Sequence, residues 1–244
     1  MSASNELPAP VALVTGATSG IGRAVALKLA ADGFSVLVHG RDKARGAQVV
    51  DAIIADGGHA RFAAADLTDA ADIERLAAEA ADVDVLVNNA GFSWFGPTGD
   101  LTPATFDAMF AANVRSAYFL VAAIAPLMAK RGAGSIINLG SMAGQVGLAG
   151  GAAYGATKAA LASLTRSWAA EFSPQGVRVN TVAPGPAYTE GAAPERTAAL
   201  GRTTLLGRAA GSGEIAELIA FLASAKAAYV TGAVIAADGG RTAV

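Results

Sequence analysis

The pattern of apolar positions along the chain predicts short buried strands that alternate with amphipathic helices. Seven short runs are apolar with almost no polar alternation, namely residues 11–14, 35–38, 61–64, 83–87, 135–139, 177–182 and 233–236. The longer segments between them have apolar residues at helical spacing, at 21–31, 43–55, 69–80, 103–130, 152–172 and 214–224. Such strands are typical of a sheet covered on both faces, and parallel strands need helical crossovers. The pattern therefore predicts repeated βαβ units.

Nothing divides this series into separate parts, since no linker rich in Pro or Ser and no block of charge interrupts it. We predict an α/β fold: a single Rossmann-type doubly wound domain over residues 1–244, with about seven parallel strands flanked by helices. Residues 184–213 depart from the alternation because they contain three prolines and several glycines without an amphipathic period. We expect a mobile surface loop there. The expected helix N-caps are Asp42, Thr68, Thr102 and Ser212.

The composition excludes several classes of protein. Hydrophobic residues make up 53% of the chain and charged residues only 16%, which disfavours disorder. A formal net charge of −2 provides no broad positive field, so we expect neither nucleic acid nor a membrane surface as a partner. The chain has no cysteine, which excludes disulfides and thiolate metal sites, and no spacing of His and carboxylates indicates a metal.

The positive mean hydropathy of +0.42 raises the question of a membrane span. A span needs about 20 consecutive apolar residues, and glycines, polar residues or Pro126 interrupt each long uncharged stretch of this chain. Residues 1–10 lack the basic start and apolar core of a signal peptide. We therefore expect a cytoplasmic protein.

A glycine-rich turn follows the first predicted strand. Residues 15–22 read Thr-Gly-Ala-Thr-Ser-Gly-Ile-Gly and lead directly into a predicted helix. Glycines allow the backbone to approach a pyrophosphate at a helix N-terminus, where free N–H groups favour negative charge. The alternative interpretation is a turn that only joins strand to helix.

The end of the second predicted strand indicates which dinucleotide is preferred. Gly40 stands where an acidic residue would bind the ribose hydroxyls, and Arg41 can pair with a ribose 2′-phosphate. We therefore expect NADP(H) as the preferred coenzyme, with NAD(H) as the alternative. Arg41 and Arg45 as plain solvated residues are the competing interpretation, and His39 is interpreted as a strand-end residue without a ligand role.

Candidate catalytic residues lie at the same predicted edge of the sheet. Tyr154 and Lys158 are one helical turn apart on one face. Ser141 follows the fifth predicted strand, and the sequence Asn-Asn-Ala-Gly at 88–91 follows the fourth. The free pKa of tyrosine is near ~10, so a phenol needs a nearby cation to exchange a proton at working pH, and Lys158 can supply it.

With these motifs the chain resembles the short-chain dehydrogenase/reductase family over nearly its whole length. The matching pieces are 15–22, Asp66-Leu67, 88–91, Asn113, Ser141, Tyr154, Lys158, Pro184-Gly185, Thr189, 229–232 and 238–240. Their shared order and spacing make the resemblance specific.

The resemblance implies a role for each matching residue. Tyr154 would be the general acid in reduction and the general base in oxidation, and Lys158 would also bind the nicotinamide ribose. Ser141 would hydrogen-bond the carbonyl oxygen, and Asn113 would hold a water that links Lys158 to solvent. Asp66 would lie near the adenine or act as a plain N-cap. The expected coenzyme contacts are Gly16, Thr18, Ser19, Gly20, Ile21, Gly22, Gly40, Arg41, Asp66, Leu67, Asn89, Ala90, Gly91, Tyr154, Lys158, Pro184, Gly185 and Thr189.

Residues that flank the motifs predict an apolar substrate pocket. Its expected walls are Phe92, Trp94, Phe95, Met142, Val146, Leu148 and Tyr188. Such walls suit a carbonyl substrate of moderate hydrophobicity rather than a phosphorylated one. The overall pattern is similar to that of 3-oxoacyl-carrier-protein reductases, but Gln175 stands where they have a basic residue for docking the carrier. Arg131, Arg166 and Arg178 are the remaining candidate carrier contacts.

The leading hypothesis is an NADP(H)-dependent oxidoreductase that interconverts a ketone and a secondary alcohol. The alternatives are a 3-oxoacyl-carrier-protein reductase, a nucleotide-sensing regulator without turnover, and lyase or epimerase chemistry on the same fold. Helices 103–130 and 152–172 have apolar residues on more than one face, which indicates subunit contacts. The resemblance implies a homotetramer, with a homodimer as the alternative.

Overall fold

The computed structural model describes residues 9–244 and has a seven-stranded parallel sheet at its centre. The strands of this sheet are β1 (Val11–Val14), β2 (Ser35–Gly40), β3 (His59–Ala64), β4 (Val85–Asn88), β5 (Gly134–Leu139), β6 (Val177–Pro184) and β9 (Val234–Ala237). Two short strands, β7 (Ala187–Tyr188) and β8 (Ala210–Gly211), pair with each other outside it. The helices are α1 (Gly20–Ala31), α2 (Lys43–Ala55), α3 (Ala70–Glu79), α4 (Pro103–Phe110), α5 (Ser116–Arg131), α6 (Ala152–Phe172), α7 (Pro194–Gly201) and α8 (Ser212–Ala223). Residues 1–8, which the domain and signal-peptide predictions include, lie outside the described residues.

The strand order is β3-β2-β1-β4-β5-β6-β9, and every neighbouring pair is parallel. Val14 at the end of β1 is in register with Val38 on one side and Val87 on the other. The order reverses between β1 and β4, and in such sheets the crevice at this reversal binds the ligand. The predicted Rossmann-type fold is confirmed.

Two apolar cores lie on the two faces of the sheet. One is formed with α1, α2 and α8 and contains Leu29 and Ile219. The other is formed with α3, α5 and α6 and contains Leu76, Ile124 and Trp168. Because both faces are covered, successive residues of the central strands are buried, which explains their uninterrupted apolar runs.

Two of the predicted N-caps are confirmed. The Asp42 carboxylate accepts a hydrogen bond from the Arg45 N–H at 3.0 Å, and the Thr102 hydroxyl accepts one from the Thr105 N–H at 3.2 Å. Each side chain satisfies an N–H group that has no partner within its own helix.

The other two predicted N-caps are wrong by one residue each. Asp69, not Thr68, caps α3, because its carboxylate reaches two N–H groups of the first turn. Gly211, not Ser212, is the N-cap of α8, and its own N–H donates to the Glu214 carboxylate at 2.9 Å. In both places two adjacent residues suit a cap, so local preference alone does not choose the first turn.

The predicted helix 103–130 is continuous but contains a π-helical turn. α4 and α5 are joined by the π segment Ala111–Arg115, which includes the buried Asn113. The whole helix has 29 residues, and its length and composition alone would allow it to cross a membrane. Leu120, Ile124 and Met128 are fully buried in the core against the sheet, which is the environment of a core helix.

Residues 184–213 contain more regular structure than we expect from the sequence. The short strands β7 and β8 pair in parallel, and α7 lies between them with Pro194 in its first turn. Thr197 and Gly201 form the buried side of α7. Two turns of helix are too short to show an amphipathic period, so the sequence did not indicate the helix that the expected loop contains at Pro194–Gly201.

Candidate functional site

The glycine-rich turn forms one wall of a cleft at the carboxyl end of β1. Gly16 and Gly20 have φ angles of +64° and +53°, a conformation that side chains disfavour. A Cβ atom on Gly22 would lie 2.2 Å from the Gly16 carbonyl oxygen. These three positions therefore require glycine, and the turn leads its backbone N–H groups to the start of α1.

Residues after β4 hold this turn in place. The Thr15 hydroxyl donates to the Val87 carbonyl at 3.1 Å and accepts from the N–H groups of Asn89 and Ala90, each at 3.0 Å. The Asn89 amide nitrogen donates to the Thr15 carbonyl at 2.8 Å and to the Gly16 carbonyl at 3.1 Å. The motif after the fourth strand thus supports the turn after the first.

His39 forms a second support that the sequence interpretation missed. It is buried at the end of β2, where Nδ1 accepts from the Gly16 N–H at 3.1 Å and Nε2 lies 3.2 Å from the Ala65 carbonyl. Burial lowers the pKa of His39 to about 4, so the ring is neutral and Nε2 carries the proton. The sequence signal for this role is a histidine at the end of an otherwise apolar predicted strand.

The cleft has a volume of about 540 Å³. The sequence-predicted site residues that line it are Gly16, Thr18, Ser19, Gly20, Ile21, Gly22, Gly40, Arg41, Asp66, Leu67, Asn89, Ala90, Gly91, Phe92, Tyr154, Lys158 and Thr189. Pro184 and Gly185 lie at the end of β6 and do not line it, and Gly185 packs against Asp238. Lining residues that the sequence did not indicate include His39, Asp42, Arg45, Ser93, Ala112 and Leu139.

Two arginines, Arg41 and Arg45, lie at the β2 end of the cleft, and only Arg45 has an ion-pair partner among residues 9–244. The Asp42 carboxylate pairs with Arg45, whose Nε lies 2.8 Å from Oδ2. Arg41 is exposed and forms no ion pair with any residue of 9–244. The Asp66 carboxylate accepts from the N–H and the hydroxyl of Thr68, which hold its pKa below the usual range. The glycine turn and this free cation together fit a phosphorylated dinucleotide.

Tyr154 and Lys158 line the other end of the cleft, and Ser141, which does not line it, lies beside Tyr154. The Lys158 ammonium donates to the Leu139 carbonyl at 2.8 Å and lies 5.7 Å from the centre of the Tyr154 ring. Burial lowers the pKa of Lys158 to about 8. Burial also raises the pKa of the Tyr154 phenol, and the nearby Ser141 side chain acts in the opposite direction. The arrangement presents a protonated phenol beside a cation.

Asn113 connects the loop after β4 to the helix that carries Tyr154. Its Oδ1 accepts from the Phe92 N–H and its Nδ2 donates to the Phe92 carbonyl, both at 2.9 Å. Nδ2 also donates to the hydroxyl of Thr157, which precedes Lys158. The side chain therefore joins two cleft walls, and its predicted water-holding role stays a prediction.

The predicted substrate walls are dispersed. Phe92 lines the main cleft, and Trp94 lines a second cavity of about 430 Å³ beside α4 and α6. The Phe95 ring centre lies 5.5 Å from that of Tyr154, and the guanidinium of Arg196 lies 4.4 Å from the Phe95 ring centre. The sequence did not indicate Arg196. The predicted walls that line neither cavity are Phe95, Met142, Val146, Leu148 and Tyr188.

Metal-ligating side chains do not cluster in the part of the chain that the structure describes, where no group of three or more His, Cys, Asp or Glu could hold an ion.

Comparison with known proteins shows which family the chain matches. Residues 10–199 match the family model described as short chain dehydrogenase. The cis-4-hydroxycyclohexanecarboxylate dehydrogenase of Sinomonas cyclohexanicum is 41% identical over 243 residues, which cover 96% of this chain and 97% of that protein.

Two solved structures are similar to this chain over nearly the whole length of both proteins. A protein provisionally named betaketoacyl-ACP reductase is 48% identical with a TM-score of 0.89, and the match covers 98% of this chain and 100% of that one. A blue fluorescent protein from a metagenomic library, in complex with NADPH, is 36% identical with a TM-score of 0.90 and coverages of 95% and 97%.

Proposed function

The chain belongs to the short-chain dehydrogenase/reductase family, and on that premise we propose that it is an NADP(H)-dependent enzyme that interconverts a ketone and a secondary alcohol. Its relatives are named dehydrogenases that act on CH–OH groups. The observation that carries the proposal is the Tyr154 phenol, which lies in the cleft beside the Ser141 side chain and the buried Lys158 cation. The phenol can donate a proton at one end of a groove whose other wall, the glycine-rich turn, suits a dinucleotide.

The coenzyme would be held by the glycine-rich turn and the start of α1, where N–H groups favour the pyrophosphate. Arg41 is the proposed partner of the ribose 2′-phosphate, since no carboxylate of residues 9–244 forms an ion pair with it. The NADPH complex of a structurally similar protein supports this preference over NAD(H). When bound, the nicotinamide ring supplies or accepts the hydride.

Proton transfer to and from the reacting oxygen is assigned to Tyr154, with Ser141 and Lys158 in supporting roles. In reduction, Tyr154 donates its phenolic proton to the oxygen of the carbonyl group, and the Ser141 hydroxyl donates a hydrogen bond to the same atom. The Lys158 ammonium stabilises the phenolate that Tyr154 becomes. Each donor placed where charge develops can contribute roughly 3 kcal/mol. Asn113 is proposed to hold the water through which Lys158 exchanges protons with solvent.

The proposal is tested with Tyr154→Phe on a panel of ketones and secondary alcohols, followed at the nicotinamide absorbance with both coenzymes. We expect kcat to fall roughly 10²- to 10⁴-fold, because the ring remains but the proton is lost. NADPH binding and the thermal midpoint of unfolding should match the parent protein. A variant that reduces ketones as fast as the parent would remove Tyr154 from the mechanism. Product formation at constant absorbance would instead indicate lyase or epimerase chemistry.

Reduction of carrier-bound 3-oxoacyl groups is a second candidate, favoured by the similarity to the protein provisionally named betaketoacyl-ACP reductase. Two of the candidate carrier contacts have other partners. Arg131 donates to the Ala81 and Val83 carbonyls, and Arg178 donates to the last turn of α8. Arg166, which is exposed, would have to carry the docking. Turnover of an acyl-carrier-protein substrate faster than its free thioester analogue would favour this candidate.

We further propose that residues 1–244 act as one cytoplasmic domain that assembles into a homotetramer, with a homodimer as the alternative. Exposed aromatic and aliphatic residues on the long helix, among them Phe106, Phe119 and Leu127, support a subunit contact there. Light scattering coupled to size-exclusion chromatography distinguishes the two assemblies from a monomer.

A further inference from the structure

A cation from α7 lies beside the proposed catalytic tyrosine. The Arg196 guanidinium carbon is 4.4 Å from the Phe95 ring centre, and that centre is 5.5 Å from the centre of the Tyr154 ring. The guanidinium is therefore at most about 10 Å from the phenol ring. Arg196 is exposed, so its charge is accessible to a ligand that enters beside Tyr154.

The charge of Arg196 has no protein partner in the described part of the chain. No carboxylate of residues 9–244 forms an ion pair with it, and none of its N–H groups donates to another residue in that range. Glu190, a carboxylate of the same segment, accepts instead from the Gly20 N–H at 2.6 Å.

The guanidinium lies over the Phe95 ring, a contact that attracts the cation without an ion-pair partner. The planar group has five N–H donors arranged as a fork. Such a fork suits bidentate binding of a carboxylate. An arginine without an ion pair at this position is available to bind an anionic ligand.

We propose that Arg196 binds an anionic group of the substrate, and that the enzyme prefers oxo and hydroxy acids over neutral analogues. A separation of at most about 10 Å between the guanidinium and the phenol ring suits a small substrate, with its carboxylate on a short aliphatic chain or on one saturated ring and Phe95 as an apolar surface beside it. This inference rests on the proposed function, because it places the reacting oxygen at Tyr154.

The test compares matched acids and amides as substrates with NADPH. The probes are 4-oxocyclohexanecarboxylate with its carboxamide, and 4-oxopentanoate with its amide. For the parent protein we expect kcat/KM to be about tenfold higher for the acids. Arg196→Gln should bring the ratio near one, through KM of the acids, and leave amide turnover within about twofold. Arg196→Lys should keep part of the preference.

Arg202→Gln is the matched control, since Arg202 is an exposed arginine that follows α7 and is not stacked on Phe95. It should keep the full preference for acids. Equal kcat/KM for acids and amides in the parent, or a preference that survives Arg196→Gln, would overturn the inference and leave the proposed function standing.

A binding measurement tests the anionic subsite separately from the proposed function. Calorimetry with cyclohexanecarboxylate, which has no reacting oxygen, should show binding that Arg196→Gln abolishes and Arg202→Gln does not. Arg196-dependent binding without turnover of any ketone would overturn the proposed function but support the anionic subsite. Neither binding nor turnover would overturn both.

Discussion

Replacement of Lys158 by methionine should stabilise the protein while removing its activity. Lys158 is 5% exposed, and burial lowers its pKa from 10.5 to about 8. At pH 7 the folded state therefore holds a poorly solvated charge that the unfolded chain exposes to water. Methionine fills a similar volume without this charge.

The magnitude follows from the size of the pKa shift. One pKa unit corresponds to about 1.36 kcal/mol, so a shift from 10.5 to about 8 amounts to about 3 kcal/mol of destabilisation at pH 7. The variant leaves the Leu139 carbonyl without its donor, which costs about 1 kcal/mol. We expect Lys158→Met to gain about 2 kcal/mol in the free energy of unfolding at pH 7.

The gain should depend on pH in a defined direction. Below pH 8 the lysine is protonated in both states and the parent bears the full penalty. Between about pH 8 and 10.5 only the unfolded chain keeps the proton, so the parent becomes more stable as pH rises. The advantage of Lys158→Met should therefore shrink across that window.

Urea unfolding without coenzyme, followed by circular dichroism from pH 7 to 10.5, measures this effect. Lys130→Met is the control, because Lys130 is an exposed lysine and its replacement should leave the pH dependence unchanged. A destabilised Lys158→Met protein at pH 7, or a gain that does not vary with pH, would refute the reasoning.

Three further predictions concern the coenzyme. Arg41→Ala should weaken NADPH binding about tenfold and leave NADH binding unchanged, as measured by fluorescence titration, and equal losses for both would disprove the phosphate contact. His39→Leu removes the acceptor of the Gly16 N–H, so KM for NADPH should rise about tenfold while kcat stays within about twofold in steady-state assays. Glu190→Gln removes an anion that competes with the pyrophosphate for the Gly20 N–H, so NADPH should bind roughly two- to fivefold tighter by calorimetry, and unchanged affinity would exclude this competition.

The parts of the fold set by burial could be predicted from the sequence. The helix 43–55, the helix 152–172 and the strand 11–14 have the predicted bounds, because each shows an uninterrupted apolar pattern with clear limits. The choice of Asp69 over Thr68 as a cap could not be predicted, since the two residues have similar local preferences. The short α7 was missed because two turns do not display a period.

Some residues of the candidate site could likewise be predicted from the sequence, and others could not. Tyr154 and Lys158 could be placed together because they are four positions apart in one helix, and Arg41 directly follows its strand. Arg196 could not be placed, because its contact with Phe95 joins segments far apart in sequence and depends on packing. His39 was interpreted as structural for a similar reason, since its partners belong to two other loops.

The π segment Ala111–Arg115 also sets the angular register of the helix that follows. A π turn contains one residue more than an α turn, so losing that residue would rotate every later side chain by about 100°. Leu120 and Ile124 would then turn out of the apolar core, and Asn113 would turn away from Phe92. A one-residue deletion in this stretch would damage folding and chemistry at once, so evolution cannot adjust the two independently here.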